Sequence, residues 1–274
     1  MKSASPAPIS EVDQGPVLLD RYDGGLAHIR LNRPESSNAL NLELLQALHA
    51  VVAKLHGQSG VRTVVLTAEG PNFCAGGDVH TFLARGVELP AYVREATSYL
   101  QIVATMLIQL DAPVVSAVHG FAAGGGLGLL CSSDIVIAAE SARICAGATR
   151  VGMGPDAGVS VSLTQLVGLR RAAELLLLNP VLSAVEAREI GLVTRVVPEG
   201  ELRQAAFDVA RKLADGAPVA LAATKRLLWG GLARGVQAAM GEENAIQAQL
   251  AGTHDTLEGL AAMLEKRAPR FQGR

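Results

Sequence analysis

The chain of 274 residues has a formal net charge of −2, and 49% of its residues are hydrophobic while 3% are aromatic. This length is sufficient for one large domain with its own core. The near-neutral charge and the scarcity of aromatic side chains argue against a nucleic-acid-binding surface. The three cysteines make no CxxC pair or disulfide framework, and the first residues lack the apolar run of a signal peptide. We therefore expect a cytoplasmic protein.

The N-terminal part of the sequence predicts a tail followed by strands and a helix. Residues 1–16 are rich in Ser, Ala and Pro, which predicts a flexible tail. "VLLDRY" and "LAHIRL" flank "DGG", which predicts a β-hairpin over Val17 to Leu31. Asn41 can cap a helix with apolar residues at helical spacing, and "RTVVLTAEG" then predicts a buried strand.

The middle of the chain alternates between strands and helices. A helix is predicted over Glu88 to Leu110, then the strand "PVVSAV", a turn with glycines at 124, 125 and 126, and another helix. The strand "DIVIAAE", the loop "RVGMGPDAG" and a helix over Val159 to Val167 follow. This order predicts a parallel sheet covered by helices. The uncharged run Pro113 to Cys131 fits this strand, turn and helix better than a membrane span, because it contains His119 and five glycines.

Beyond Pro198 the pattern becomes helical throughout. Four helices are predicted: Leu202 to Ala214, Val219 to Trp229, Gln237 to Leu250 and Thr256 to Lys266. The sequence thus divides into a tail (residues 1–16), an α/β core (residues 17–198) and a helical C-terminal module (residues 199–274).

Two glycine turns in the core carry the first chemical signal. The first glycine turn (residues 75–78, in "FCAGGD") and the second glycine turn (residues 124–126, in "GFAAGGGLGLLCSSD") both follow predicted strands. Neither GxGxxG nor GxxxxGK is present in the second turn, so a nucleotide-phosphate loop is not indicated. Bare backbone ahead of a helix can instead present N–H groups to a ligand oxygen, as an oxyanion hole requires. Tight packing of helix on strand is the structural alternative.

Several segments together resemble one known family. "RLNRPESSNALN", "FCAGGD", "HGFAAGGGLGLLCSSDIVIA", "ARICAGATRVGMGPDAG", "VGMGPDAGVSVSLTQLVG" and "MLEKRAPRFQGR" are similar to the signature segments of the crotonase family, the enoyl-CoA hydratase/isomerase superfamily. The resemblance implies an α/β core of repeated ββα units with a helical C-terminal module. It also implies an acyl-CoA thioester substrate, no separate cofactor, and homotrimers or hexamers built as dimers of trimers.

The resemblance also assigns residues to the site. The N–H groups of Gly77 and Gly125 would hold the thioester oxygen and stabilise the enolate charge that develops there. The expected substrate-binding residues are Arg33, Ala75, Gly76, Asp78, His80, Gly124 and Ala148. Arg33 would lie near the CoA phosphates, and Lys266 and Arg267 would either reach the CoA of a neighbouring subunit or form a solvated helix end.

The acidic residues distinguish reactions within this family. Hydratases of the family have glutamates at the positions of Gly128 and Ala148, and both acids are missing here. Asp156 matches the aspartate that isomerases of the family use as a base, although it could also act only as a turn or cap residue. We therefore predict double-bond isomerisation of an enoyl-CoA, with Asp156 as the single acid and base. The alternatives are a hydratase with atypical acids and a non-catalytic acyl-CoA-binding homologue.

Other candidates are weaker. A dehalogenase-like nucleophilic role for Asp156 is disfavoured because Ala148 stands where that branch has a tryptophan. His80 would line the acyl pocket or face solvent, and Asp78 would also stabilise its own loop. Glu95 and Tyr99 lie on a helix that often lines the acyl pocket in the family, with an exposed Glu95 as the alternative. We predict no metal site, because no His, Cys, Asp and Glu cluster has ligand spacing.

Overall fold

A computed structural model describes residues 8–231, 253–265 and 267–274 of the chain. Its strands are β1 (Ile9–Val12), β2 (Val17–Tyr22), β3 (Leu26–Leu31), β4 (Thr63–Ala68), β5 (Val114–Val118), β6 (Phe121–Ala123), β7 (Ile135–Ala139), β8 (Arg143–Cys145), β9 (Leu182–Ser183) and β10 (Arg195–Val197). Its helices are α1 (Leu42–Gly57), α2 (Val79–Ala84), α3 (Leu89–Gln109), α4 (Gly125–Cys131), α5 (Val159–Val167), α6 (Leu169–Leu178), α7 (Ala184–Glu189), α8 (Leu202–Ala214), α9 (Pro218–Gly231) and α10 (His254–Glu265).

The main sheet has the strand order β1-β2-β3-β4-β5-β7-β10. Strands β1 to β3 are antiparallel, and the pairs from β3 through β10 are parallel. Successive side chains point to opposite faces, so Val64 and Leu66 of β4 contact the larger core while Val65 contacts the smaller one. The larger core packs against α1, α3 and α4, and the smaller core packs against α8. Both faces of the parallel region are therefore covered, as its apolar strands predict.

A second, three-stranded sheet lies beside the first. Its order is β6-β8-β9, with β6 and β8 parallel and β8 and β9 antiparallel. A bridge between Cys74 and Ala122 joins the loop after β4 to strand β6. This bridge brings the two glycine turns to the same part of the molecule.

Helix α9 docks on the core through a buried cation. The Lys225 side chain on α9 is 4% exposed, and its ammonium lies 2.8 Å from a carboxylate oxygen of Asp134. It also donates to the carbonyl oxygens of Leu107 (2.8 Å) and Ala112 (3.2 Å). The indole N–H of Trp229 donates to the second Asp134 oxygen at 2.7 Å. Asp134 thus connects β7 to α9.

Most predicted elements of the described part are present. Helices α5 and α8 begin and end where the sequence predicts, and the mixed α/β fold with a helical C-terminal part is confirmed. One boundary is wrong: Ile9–Val12, assigned to the flexible tail, forms strand β1 and pairs with β2. The predicted helix Gln237 to Leu250 lies outside the described residues. Among the residues that are described, no helix is long and apolar enough to cross a membrane.

Candidate active site

The two glycine turns pack backbone against backbone. The Cys74 N–H donates to the Phe121 carbonyl at 3.0 Å, and the Ala123 N–H donates to the Cys74 carbonyl at 2.9 Å. A Cβ atom at Gly76 would lie 3.0 Å from the carbonyl oxygen of Ala123 and 3.5 Å from the Cα of Gly124. Gly124 itself has φ 50° and ψ −118°, a conformation that only glycine adopts without strain. The glycines therefore allow a contact between loops that side chains would prevent.

Hydrogen bonds on either side of Gly77 fix its peptide group. The Leu40 N–H donates to the Gly76 carbonyl at 2.7 Å, and the Asp78 N–H donates to the Leu40 carbonyl at 3.1 Å. By contrast, the N–H groups of Gly77 and Gly125 donate to no acceptor among the described residues. Gly125 is buried and is the first residue of α4. Two main-chain donors are thus held in place without an internal partner.

Asp156 lies on a separate loop and lines a small cleft beside Gly124 of the second glycine turn. The cleft has a volume of about 20 Å³ and is lined by Gly124, Leu127, Ala146, Ala148, Pro155, Asp156, Val159 and Leu176. Asp156 also borders an open groove beside α3, which is lined by Val93, Thr97, Gln101 and Met153 among others. Of the predicted site residues, Gly124, Ala148 and Asp156 line this cleft, whereas Gly77 and Gly125 do not. Asp156 thus borders both the cleft and the open groove.

The environment of Asp156 favours its protonated form. Burial raises the pKa of the Asp156 carboxyl above its usual range, and its own backbone N–H partly opposes this rise. No side chain in the described ranges donates a hydrogen bond to this carboxylate. Burial also raises the pKa of the Cys74 thiol to about 12, and the charge of Asp156 adds to that rise. Asp156 is thus a partly desolvated acid whose charge is felt by Cys74, the residue before the first glycine turn.

A short network fastens the loop that carries Asp156. The Asn179 side chain donates to the Thr149 hydroxyl at 2.5 Å, which in turn donates to the Leu176 carbonyl at 3.2 Å. Arg150 donates to the Asn179 carbonyl. Asn179 is buried and has φ 52°, a left-handed conformation at the C-terminus of α6. Sequence analysis missed this anchor, although Asn before Pro after a leucine-rich helix is a known helix-ending signal.

Arg33 and Asp78 contact each other rather than the cleft. The Arg33 guanidinium lies 3.2 Å from the Asp78 carboxylate and donates to the Ala39 carbonyl at 2.6 Å. Asp78 accepts from the Thr81 N–H at 3.0 Å and so caps α2. Burial opposes the charge of Asp78, but the Thr81 N–H and Arg33 lower its pKa below the usual range. Asp78 therefore stabilises its own loop. The role of Arg33 at the CoA phosphates stays a prediction, and its guanidinium already has two partners within the chain, Asp78 and the Ala39 carbonyl.

The remaining candidates are exposed to solvent or contact other residues of the chain. His80, Glu95 and Ala75 are exposed. Tyr99 is half-buried against the core, with its ring 5.7 Å from that of His49. Arg267 pairs with Glu258 and Glu265 on its own chain, and Lys266 lies outside the described residues. In the part of the chain that is described, no group of three or more His, Cys, Asp and Glu side chains could hold a metal ion.

Comparison with known proteins identifies the family. A family profile described as "Enoyl-CoA hydratase/isomerase" matches residues 21–274. The chain is 37% identical to a "Probable enoyl-CoA hydratase" of Rhodobacter capsulatus, over 91% of this chain and 95% of the relative. It is 32% identical to the mitochondrial methylglutaconyl-CoA hydratase of Mus musculus, over 93% and 82% of the two chains.

Solved structures agree with this result. The crystal structure of enoyl-CoA hydratase from Bacillus anthracis superposes with a TM-score of 0.90 at 34% identity, covering 95% of this chain and 100% of that one. The protein belongs to the enoyl-CoA hydratase/isomerase family, also called the crotonase family. The expected family membership is thus confirmed, and an enzyme of this family acting on an acyl-CoA thioester is supported.

Proposed function

We propose that the protein isomerises the double bond of an enoyl-CoA, moving it from the 3-position to the 2-position. The observation that carries this proposal is Asp156, a partly buried carboxylate that lines the same cleft as the second glycine turn. The thioester carbonyl would accept from the N–H groups of Gly77 and Gly125, which lack an acceptor among the described residues. Each such donor contributes roughly 3 kcal/mol to stabilisation of a developing oxyanion.

The reaction needs one proton acceptor that later becomes the donor. The ionised Asp156 carboxylate removes a proton from C2 of the 3-enoyl thioester, and the electron pair moves into a dienolate whose charge lies on the thioester oxygen. The protonated Asp156 then returns a proton to C4, and the double bond forms between C2 and C3. No atom is gained or lost, and no cofactor is needed. The raised pKa of Asp156 suits both steps. A carboxyl group with a pKa closer to the working pH is a stronger base when ionised and can still donate its proton when protonated.

Hydration is the second candidate, because the relatives described above are named as hydratases. It requires a group that orients and activates water and an acid that protonates carbon. The family positions for these acids are Gly128 and Ala148 in this chain, and neither has an ionisable side chain. Of the two reactions, isomerisation is the one that a single carboxylate can perform. Assembly into trimers or hexamers is also proposed from the family resemblance.

The decisive experiment distinguishes the two reactions by whether the product contains an added water molecule. The purified protein is incubated with a 3-enoyl-CoA and with the matching 2-enoyl-CoA in ¹⁸O-labelled water. Chromatography resolves the double-bond isomers, and mass spectrometry detects any added water. Asp156→Asn is the test variant, and Glu95→Gln is the control because Glu95 is an exposed carboxylate on α3.

We expect the unlabelled 2-enoyl product from the wild-type protein and from Glu95→Gln, and a loss of at least about 100-fold in Asp156→Asn. Labelled hydroxyacyl product that persists in Asp156→Asn would reject isomerisation through Asp156 and favour hydration. Isomerisation that is lost in Glu95→Gln but retained in Asp156→Asn would assign the base to α3 instead.

A further inference from the structure

The contact between α4 and the loop that carries Asp156 contains two residues in locally unfavourable states. Gly128 lies within α4, where glycine is less favourable than alanine. Ala157 has φ 49°, a left-handed conformation that non-glycine residues rarely adopt, and it is 7% exposed. The two residues face each other across the contact. A Cβ atom at Gly128 would lie 2.6 Å from the Cβ of Ala157 and 3.7 Å from Cγ2 of Val159.

The first of these distances is too short for two non-bonded carbon atoms, whose optimal separation is about 3.5–4.0 Å. A side chain at position 128 would therefore push Ala157 away by about 1 Å. Asp156 precedes Ala157 directly, and its carbonyl accepts from the Val159 N–H at 2.9 Å, so the carboxylate belongs to one tight turn at the start of α5. Moving Ala157 must move Asp156 with it.

From this geometry we infer that Gly128 is a positioning residue: its missing side chain lets the loop approach α4 closely enough for Asp156 to enter the cleft. The inference rests on the proposed role of Asp156. It also implies that a carboxylate side chain at position 128 and one at position 156 exclude each other in this chain. Gly128 then acts as a specificity determinant, and adding glutamate at this position would displace Asp156 rather than supply a second acid.

The contact between residues 128 and 157 can be tested by a second substitution that removes the collision caused by the first. In Gly128→Ala the new methyl group collides with Ala157, whereas in Gly128→Ala combined with Ala157→Gly the nearest remaining atom is Val159 Cγ2 at an ordinary 3.7 Å. Glycine at 157 also adopts φ 49° without strain. The control is Gly230→Ala on α9, a helical glycine whose Cβ would meet no atom of the described residues within 4 Å.

We expect Gly128→Ala to lower kcat for isomerisation by about 100-fold, since a displacement of about 1 Å has an effect of this size. KM should change little, because the donors on the glycine turns are untouched. The double variant should recover kcat to within a few-fold of wild type, and Gly230→Ala should match wild type throughout. Full activity in Gly128→Ala, or a double variant no better than the single one, would overturn the inference. If Gly128→Ala fails to fold, the double variant decides alone: restored folding and turnover support the inference, and their absence overturns it.

A second readout does not depend on turnover. The Asp156 carboxyl can be titrated by ¹³C NMR, with Asp156→Asn identifying its signal. Burial raises the pKa of Asp156 in the wild type, so displacement into solvent in Gly128→Ala should lower it toward the ordinary value, and the double variant should restore it. An unchanged pKa in Gly128→Ala would reject the displacement. This titration stays interpretable if Asp156→Asn retains isomerase activity, so failure of the proposed reaction and failure of the positioning role are distinguishable.

Discussion

Replacing Gly126 by alanine tests how closely α4 approaches the first glycine turn. A Cβ atom at Gly126 would lie 2.5 Å from the carbonyl oxygen and 2.8 Å from the Cβ of Cys74. That carbonyl cannot rotate away freely, because it accepts from the Ala123 N–H and the Cys74 N–H donates to Phe121. At the neighbouring Gly125, a Cβ atom would instead meet the ends of two leucine side chains, at 2.4 Å and 3.0 Å.

These contacts set the expected order of stability. Gly126→Ala must break about two backbone hydrogen bonds, worth about 1 kcal/mol each, and overpack the core by about 2 kcal/mol. The higher helix preference of alanine offsets about 1 kcal/mol, which leaves a net loss of about 3 kcal/mol. Gly125→Ala moves only leucine side chains and should lose about 1 kcal/mol. In Gly230→Ala the new methyl group meets no atom within 4 Å in residues 8–231, 253–265 and 267–274, so stability should be unchanged or rise by up to about 1 kcal/mol.

Urea denaturation measures all three variants against wild type. Circular dichroism follows the helices, and fluorescence of Trp229, the single tryptophan of the chain, follows the docking of α9. Midpoints combined with a common slope give the differences in the free energy of unfolding. A Gly126→Ala variant as stable as Gly230→Ala would refute the reasoning, because it would mean that Cys74 can move aside freely.

Two further predictions concern charged groups. Lys225→Met removes one partner of a buried ion pair and the donor to two carbonyls. Urea denaturation should show a free energy of unfolding lower by about 3 kcal/mol. The control Arg226→Met, at an exposed neighbouring residue, should change this free energy by less than about 0.5 kcal/mol. Because burial raises the pKa of Asp156, its protonated form stabilises the folded state at low pH, and this stability is lost as pH rises through the folded pKa. Asp156→Asn should therefore melt higher than wild type near neutral pH and converge with it at acidic pH; equal melting temperatures throughout would contradict this sign.

Long, regular elements could be predicted from the sequence because the spacing of their apolar residues reflects one buried face along the whole element. Helix α8 has apolar residues at helical spacing against one sheet face, so its bounds could be predicted. Strands β6 and β9 have three and two residues, too few for an alternating pattern to be visible. Strand β1 was missed because Ile9–Val12 is largely polar or exposed and is held by pairing with β2 rather than by burial.

The sequence predicts which residues could carry the chemistry of the candidate site, but it does not predict how they pack. The glycines and Asp156 stand out as residue types that turns and proton transfer require. The contact of Gly128 with Ala157 has no such signal, because an alanine gives no indication of a left-handed conformation. Likewise, the charge at Arg33 suggests a ligand phosphate, yet Asp78 and Ala39 already engage its guanidinium. These side-chain contacts depend on which distant segments of the chain pack together, and this cannot be predicted from a single sequence.

The division between donors and acid has an evolutionary consequence. The proposed oxyanion donors are main-chain atoms, so most point mutations leave the donors themselves in place. The acid is one side chain on a loop held by Asn179 and its neighbours, and it can be exchanged without rebuilding the sheet. A lineage can therefore change the reaction by altering a few loop residues while its descendants inherit the same way of binding a thioester.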